Sequence, residues 1–595
     1  LCVWARGFWG KRYNIRTMSA LINIENITFH YPSEGGTAEP ALSGVSLSFE
    51  EGEFVAILGA NGSGKTTLAR HLNGLLLPEQ GSVHVGRLDT RERGNLGWIR
   101  QRVGMVFQHP EDQIVATTVQ EDVAFGPENL GLPPAEIRQR VDMAIEAVGL
   151  GAHRERPPHL LSAGQMQRLA LAGVLAMRPR CVVFDEATTM LDPAGRRMAL
   201  ELMAELRSEG MAVVFVTHNM QEAALADRCV VMSHGRVVFD GGPRELFAQA
   251  ELGEWGLELP PAAALAGKLR PLFPALTADI LNIEDLLAQL PANQSPCAMP
   301  EDSPAQVVHS GESLINVSGL AHTYLLDTPL AHLALQDVNL EVAAGRSHGL
   351  VGVTGSGKST LLQHLNGLLR PQQGTVRVGP YNLGDPDLPT RQITRLAGLV
   401  MQNPEMQFFA QYVGDEIAFG PRQGNLDEPL AERVRWAMET VGLNFEAFKD
   451  RLTFTLSGGE KRKTALASIL AIKPQILLLD EPTAGLDPRS RTEIIAGLKH
   501  LSEQGMGLVL SSHQMEDVAE LAADITTFRK GHSEFSGTAG EVFWQFERLK
   551  EIGLESPVAA MAGERLRSLG WPVRTGVVTP AELVEAVRGC LEVSG

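Results

Sequence analysis

The sequence predicts an α/β fold made twice over, and three observations carry that prediction. Residues 59–67 read GANGSGKTT and residues 352–360 read GVTGSGKST, each a complete G-x4-G-K-[ST] loop. Each loop follows an apolar, strand-like run (residues 54–58; Leu350 and Val351) and precedes a helix-like stretch, which is the order such a loop requires. Further along each half, an apolar run ends in two acids, CVVFDE at 181–186 and ILLLDE at 476–481. That is the pattern of a buried strand delivering carboxylates at its C-terminal end, where α/β sheets bind ligands.

The loops come first because their chemistry is the most specific. Their glycines let successive backbone N–H groups curl around phosphate oxygens. The candidate phosphate-holding residues are Gly59, Ala60, Asn61, Gly62, Ser63, Gly64, Lys65, Thr66 and Thr67 in the first half. In the second they are Gly352, Val353, Thr354, Gly355, Ser356, Gly357, Lys358, Ser359 and Thr360. Lys65 and Lys358 add a point charge, and Thr66 and Ser359 offer a hydroxyl to Mg²⁺. Of the acidic pairs, Asp185 and Asp480 suit Mg²⁺, while Glu186 and Glu481 are placed to orient or deprotonate an attacking water.

Other elements recur in the same order. The first half has Gln108, Leu161-Ser162-Ala163-Gly164-Gln165, the Asp185-Glu186 strand, Leu191-Asp192 and His218. The second has Gln402, Leu456-Ser457-Gly458-Gly459-Glu460, the Asp480-Glu481 strand, Leu486-Asp487 and His513. Both histidines end β-rich runs, 212–216 and 507–510.

This ordered set resembles the nucleotide-binding domains of ABC (ATP-binding cassette) ATPases over nearly all of both halves. The resemblance implies two tandem P-loop domains, each a RecA-like core with a helical subdomain, binding ATP and Mg²⁺ and hydrolysing ATP. It implies that Gln108 and Gln402 sense Mg²⁺ and the γ-phosphate, that His218 and His513 bond the γ-phosphate and the catalytic carboxylate, and that Tyr31 and Tyr324 stack on adenine. It also implies two composite sites in a head-to-tail pair, with Ser162 and Gly164 serving the Lys358 site and Ser457 and Gly459 the Lys65 site through helix N-termini. Ala163 replaces the first glycine of its signature and Glu460 the terminal glutamine of the other, so room for close backbone approach at Ser162 is an open point.

Bulk properties narrow the class. The net charge of −18 over 595 residues argues against a surface that grips nucleic-acid phosphates. No apolar run approaches the roughly 20 residues of a membrane-spanning helix. Five scattered cysteines without metal-ligand spacing suit a reducing cytoplasm. The expected organisation is an N-terminal extension of no assigned role (1–18), a first ATPase domain (19–250), a helical extension (251–292), a linker (293–312), a second ATPase domain (313–545) and a second extension (546–595). The extensions themselves repeat: Pro261 to Gly267 matches Pro557 to Gly563, and Ile283 to Leu287 matches Pro580 to Val584.

Two passages narrow the family. Gln108-His109-Pro110-Glu111-Asp112-Gln113 leads to Glu121-Asp122-Val123-Ala124-Phe125-Gly126-Pro127, and Gln402-Asn403-Pro404-Glu405-Met406-Gln407 leads to Asp415-Glu416-Ile417-Ala418-Phe419-Gly420-Pro421. Both resemble the ATPases of energy-coupling-factor and cobalt-type importers, as do the two tails. The resemblance implies a fused ATPase pair, peripheral on the cytoplasmic face of the membrane. Its partners would be a transmembrane coupling subunit and a small membrane substrate-binding subunit, which carry a vitamin, a vitamin precursor or Ni²⁺/Co²⁺. It places arginine-bearing coupling helices against the acidic segments after Gln108 and Gln402. The alternatives are a tandem ATPase of another importer, such as one for sugars, or a soluble protein acting on ribosomes or DNA. Against the latter, the linker is short and uncharged apart from three acids and a histidine.

Overall fold

The computed structural model describes residues 20–31, 40–188, 191, 193–293, 313–328, 331–424 and 428–593. The proposed N-terminal extension, nearly all of the linker, and Asp192 lie outside them. The chain divides into two compact units, residues 1–260 and 261–595.

In the first unit the runs FVAIL, CVVFD and AVVFV form the strands Phe54–Leu58, Cys181–Asp185 and Ala212–Val216, buried at every position. Continuous apolar character is what an inner parallel strand covered on both faces needs. Six strands align in the order Arg236–Gly241, Arg228–Ser233, Phe54–Leu58, Ala212–Val216, Cys181–Asp185, Val103–Val106. The first neighbouring pair is antiparallel and the others are parallel. This order sets the function: the phosphate loop, His218, the Asp185-Glu186 pair and Gln108 leave adjacent strands at the same, C-terminal edge. A second, antiparallel sheet contains Leu42–Phe49, Ile22–Phe29, Gln80–Val85 and Leu88–Asp89. Three helices, Val119–Asn129, Pro134–Ala147 and Ala163–Ala176, pack together as a helical module.

The second unit repeats the plan. Its parallel strands Ala397–Val400, Ile476–Asp480, Gly507–Ser512, Ser347–Gly352 and Asp524–Arg529 lie in that order, with His532–Thr538 antiparallel at the edge. Its helical module contains Val413–Arg422, Leu430–Thr440 and Gly458–Leu470.

The repeated tails form helices Pro261–Leu269, Ile283–Gln289, Val558–Ser568 and Pro580–Val593. All four lie in the second unit, so helices that belong in sequence to the first repeat pack there against those of the second. Leu265, Leu269, Phe273 and Leu286 share one core with Leu566, Trp571, Val573 and Leu583. Trp571 Nε1 donates to Pro291 O at 2.7 Å and Asn293 N to Leu569 O at 2.9 Å. Helices of 7 to 14 residues are marginal alone, and merging two short tails gives each an apolar face to bury. No helix among the described residues is long and apolar enough to cross a membrane.

Candidate functional site

Each phosphate loop turns at a glycine that sterics require. Gly64 and Gly357 cap the helices Lys65–Leu72 and Lys358–Leu365 at φ 103° and 106°. A Cβ there would come within 2.6 Å of Ala41 O and 2.8 Å of Ala334 O, respectively. Lys65 Nζ donates to Gly59 O (2.9 Å) and Ala60 O (2.8 Å), and Lys358 Nζ to Gly352 O (2.7 Å) and Val353 O (3.1 Å). Each ammonium is thus folded over a ring of backbone at a helix N-terminus, a ready anion site. Tyr31 and Tyr324 stand at the side of these helices, their hydroxyls 3.2 Å from Thr67 Oγ1 and Thr360 Oγ1.

The acidic pairs leave their strands through a strained turn. Glu186 and Glu481 have φ of 51° and 49°, the left-handed region that residues with a Cβ avoid. The turn brings each glutamate to its histidine: His218 Nε2 is 2.6 Å from Glu186 Oε1, and His513 Nδ1 is 2.8 Å from Glu481 Oε2. Burial pushes Glu186 up, but its bond to His218 and the charges of His218, Lys65 and His109 outweigh that, and the carboxyl is held below its ordinary range. Glu481 is held low in the same way, by His513 and Lys358 against burial.

Asp185 and Asp480 behave oppositely. Thr66 Oγ1 donates to Asp185 Oδ1 at 2.9 Å; its counterpart Ser359 bonds Asp480, which also accepts from Ser511 Oγ at 2.6 Å, yet burial raises both carboxyls. A hydroxyl beside a buried carboxylate that lacks full charge compensation is a donor set suited to a hard cation completed by phosphate oxygens.

Gln108 and Gln402 leave the ends of Val103–Val106 and Ala397–Val400, half-buried and exposed respectively. Five residues on, Gln113 and Gln407 staple the segment shut. Gln113 accepts from Phe107 N and donates to Met105 O, and Gln407 does the same with Met401 N and Leu399 O.

Ser162 and Ser457 cap Ala163–Ala176 and Gly458–Leu470 in full capping boxes. Gln165 and Glu460 fill the same role in these boxes, and Glu460's charge is met by Arg451 at 2.9 Å, so that departure is structurally neutral. At Gly458, the counterpart of Ala163, an added Cβ would meet no protein atom within 4 Å. Gly459, by contrast, would drive a Cβ to 2.6 Å from Ser490 Oγ.

The acidic segments after Gln108 and Gln402 need a correction. Asp122 and Glu416 are buried and turned inward, accepting from Val115 N and Ala116 N, and from Phe409 N and Ala410 N. A buried carboxylate spent on two backbone amides is not offered to a partner. Asp415 bonds Arg422 at 2.7 Å and Glu405 bonds Lys461. Glu111, Asp112 and Glu121 are exposed in the first half; in the second, Glu405 and Asp415 are exposed beside Met406 (72% exposed) and Phe409 (78% exposed), whose ring stacks 5.6 Å from Phe419.

Sequence reasoning also passed over Glu222 and Asp517, which lie four residues after the two histidines. The repeat itself was the signal.

Two cassettes, each with a phosphate loop, an acidic pair and a facing histidine at one sheet edge, define a nucleotide-hydrolysing protein. The ABC transporter family model matches residues 42–189 and 335–484. A protein of Caldanaerobacter subterraneus subsp. tengcongensis classed as an ABC transporter ATP-binding protein is 34% identical over 559 residues, covering 92% of this chain and 96% of that one. The energy-coupling factor transporter ATP-binding protein EcfA1 of Symbiobacterium thermophilum is 57% identical over 275 residues, 45% of this chain and 96% of that protein. The solved structure of cbiO1 from Clostridium perfringens, described as part of the ABC transporter complex cbiONQ, is 34% identical, covers 43% of this chain and 96% of that chain, and gives a TM-score of 0.37. The chain belongs to the ABC transporter family and, within it, to the energy-coupling-factor type of ATP-binding protein, with two cassettes in one polypeptide. It is an ATPase.

Proposed function

We propose that this chain is the energy-coupling ATPase of an importer, hydrolysing Mg²⁺-ATP in both cassettes. The observation that carries the reading is the duplication of the Glu–His contact, with lysine, aspartate and hydroxyl beside it in each half. Neither half has lost a group that hydrolysis needs. Thr66 with Asp185, and Ser359 with Asp480, would hold Mg²⁺, which supplies charge for the β- and γ-phosphates. Glu186 and Glu481, kept ionised at neutral pH, orient and deprotonate water. Gln108 and Gln402 sense the metal and γ-phosphate, and Tyr31 and Tyr324 take the adenine. The signature helix of each half, with Ser162 and Gly164 or Ser457 and Gly459 at its start, completes the ATP site of the other half.

Membrane subunits supply the path and the specificity for a vitamin, a vitamin precursor or Ni²⁺/Co²⁺, with this chain peripheral on the cytoplasmic face. The names of the EcfA1 relatives support this setting. The deciding experiment is co-expression with the membrane proteins encoded beside it, purification, and reconstitution into vesicles. ATP-driven uptake of a vitamin or metal ion is expected. Co-purification with ribosomes in place of membrane proteins would overturn the reading.

A further inference from the structure

Behind the Glu186–His218 pair lies a carboxylate that no motif marks. Glu222 is 2% exposed and sits on the short helix Met220–Ala223. Its Oε2 accepts from Thr188 Oγ1 at 2.9 Å and from Thr217 Oγ1 at 2.5 Å. Thr188 is two residues beyond Glu186 and Thr217 immediately precedes His218, so a single oxygen ties together the two loops that carry the pair. The Thr217 hydroxyl in turn accepts from Asn219 N at 3.0 Å, and Asn219 Oδ1 accepts from the amides of Gln221 and Glu222. Arg196, on the helix Pro193–Ser208, brings Nε to 3.5 Å from Oε1 and opposes in part the burial that pushes the Glu222 carboxyl up.

The second cassette solves the same problem differently. Asp517, 1% exposed, stands at the corresponding position. It accepts from Thr483 Oγ1 at 2.5 Å, the counterpart of Thr188, and takes Arg491 Nε at 2.8 Å as its other partner. The strand ends are joined by Ser511, whose Oγ donates to Asp480 Oδ1 at 2.6 Å and accepts from Glu481 N at 3.2 Å. Val216 occupies that position in the first cassette and offers no hydroxyl.

We propose that Glu222 is a positioning residue of the first ATP site, fixing the separation of the loops that bear Glu186 and His218, and that Ser511 takes over this role in the second. The inference rests on the reading of Glu186 and Glu481 as the carboxylates that act on water. Two hydroxyls donating to one buried oxygen tie the loops through a single shared acceptor, and removing it leaves buried hydroxyls unpaired. Without it, Thr188 and Thr217 lose their shared acceptor and the 2.6 Å Glu186–His218 contact loosens.

The test is steady-state ATP hydrolysis by the full chain carrying Glu222→Ala, Glu222→Asp or Thr217→Val, with Ser511→Ala as the second-cassette counterpart. Glu222→Ala should lower kcat roughly tenfold to a hundredfold, as a small misplacement near the reacting atoms does, while KM for ATP stays within about twofold. Glu222→Asp reproduces the Asp517 side chain, which reaches Thr483 but pairs with Arg491. It should therefore keep the Thr188 bond, lose Thr217 and behave like Thr217→Val, with a smaller fall in kcat at the same KM. These two milder variants carry the test should Glu222→Ala not fold. An unchanged kcat, a KM that rises as kcat falls, or a fall in kcat that tracks lost thermal stability across the variants overturns the positioning role. Glu186→Gln separates the two levels: if it leaves hydrolysis intact, the underlying assignment fails. If it abolishes hydrolysis while Glu222→Asp and Thr217→Val keep the wild-type kcat, only the inference about Glu222 fails.

Discussion

In the first cassette the strand leading into the phosphate loop begins Phe54-Val55, and in the second it begins Ser347-His348. Val55 is buried among apolar neighbours. His348, equally buried, bonds Thr526 Oγ1 at 2.9 Å, which in turn bonds Ser536 Oγ at 2.8 Å. Val230 holds the place of Thr526 in the first cassette. Beside this contrast an ion pair has exchanged its ends. Glu53 accepts from Arg228 at 3.1 Å in the first cassette, and Arg346 donates to Asp524 at 2.7 and 2.9 Å in the second. The C-terminal edges of the same strands carry the same lysine, acidic pair and histidine. The difference teaches that chemistry constrains one edge of the sheet. At the other edge, any set of side chains serves as long as buried polar groups find partners.

The largest effect expected tests how alike the reacting edges are. Glu186→Gln together with Glu481→Gln should retain ATP binding and lower hydrolysis by about a hundredfold or more, the usual scale of a lost general base. The single variants, assayed by phosphate release, should each lose most activity. One that kept wild-type turnover would break the equivalence of the cassettes.

Next comes the surface beyond Gln108 and Gln402, where Asp112 of the first cassette corresponds to Met406 of the second and Phe409 adds a further exposed apolar group. Lysine at both 111 and 112 should detach the chain from its membrane partner in a pull-down while soluble ATPase activity is unchanged. Losing one member of a partly desolvated charge pair costs about 2–5 kcal/mol. Alanine at Met406 and Phe409 should weaken the same complex without the salt dependence of the first pair. Equal salt sensitivity in both would erase the proposed division into an acidic and an apolar face.

Acid should then separate the two cores. Burial lowers His348 from 6.5 to about 4, so the folded state keeps it neutral and the unfolded chain takes the proton first. Its stabilising share is complete above about 6.5 and is lost as pH falls towards 4, about 3 kcal/mol in all at 1.36 kcal/mol per unit. His71 and His364 stand at matching positions and are both lowered by burial, so they tend to cancel in the comparison. His348→Val should flatten the acid dependence of the second cassette's calorimetric transition and leave the first's alone. An unchanged slope would mean that His348 titrates normally.

The smallest effect concerns the exchanged ion pair, partly exposed and so worth about 1 kcal/mol or less. Arg346→Glu alone should destabilise the second cassette by that order. Combining it with Asp524→Arg, which copies the polarity of the first cassette, should restore most of the loss in a denaturant titration. Failure of the pair to recover would show that the surrounding residues fix its polarity.

The loops, the acidic strands and the two histidines were legible because each is a short string whose spacing alone fixes strand, turn and helix, and the duplication let each half check the other. The tail helices were legible for the same reason. Local pattern could not say that Asp122 and Glu416 turn inward to cap backbone amides, because an acidic residue on a helix reads the same whether it faces solvent or a neighbouring turn. Nor could it place Glu222 against Thr188, 34 residues away in sequence.

The sequence by itself determined the two cassettes, their ATPase class and the candidate groups at each site, because phosphate loops and acid-ended strands depend on residues that are neighbours in the chain. Only the tertiary structure decided which carboxylates are braces and which remain on the surface, how each Glu–His pair is held, and that both sets of tail helices share one core. Those outcomes depend on burial and on hydrogen-bond partners brought together from distant segments, where the cost of an unpaired buried group selects the arrangement.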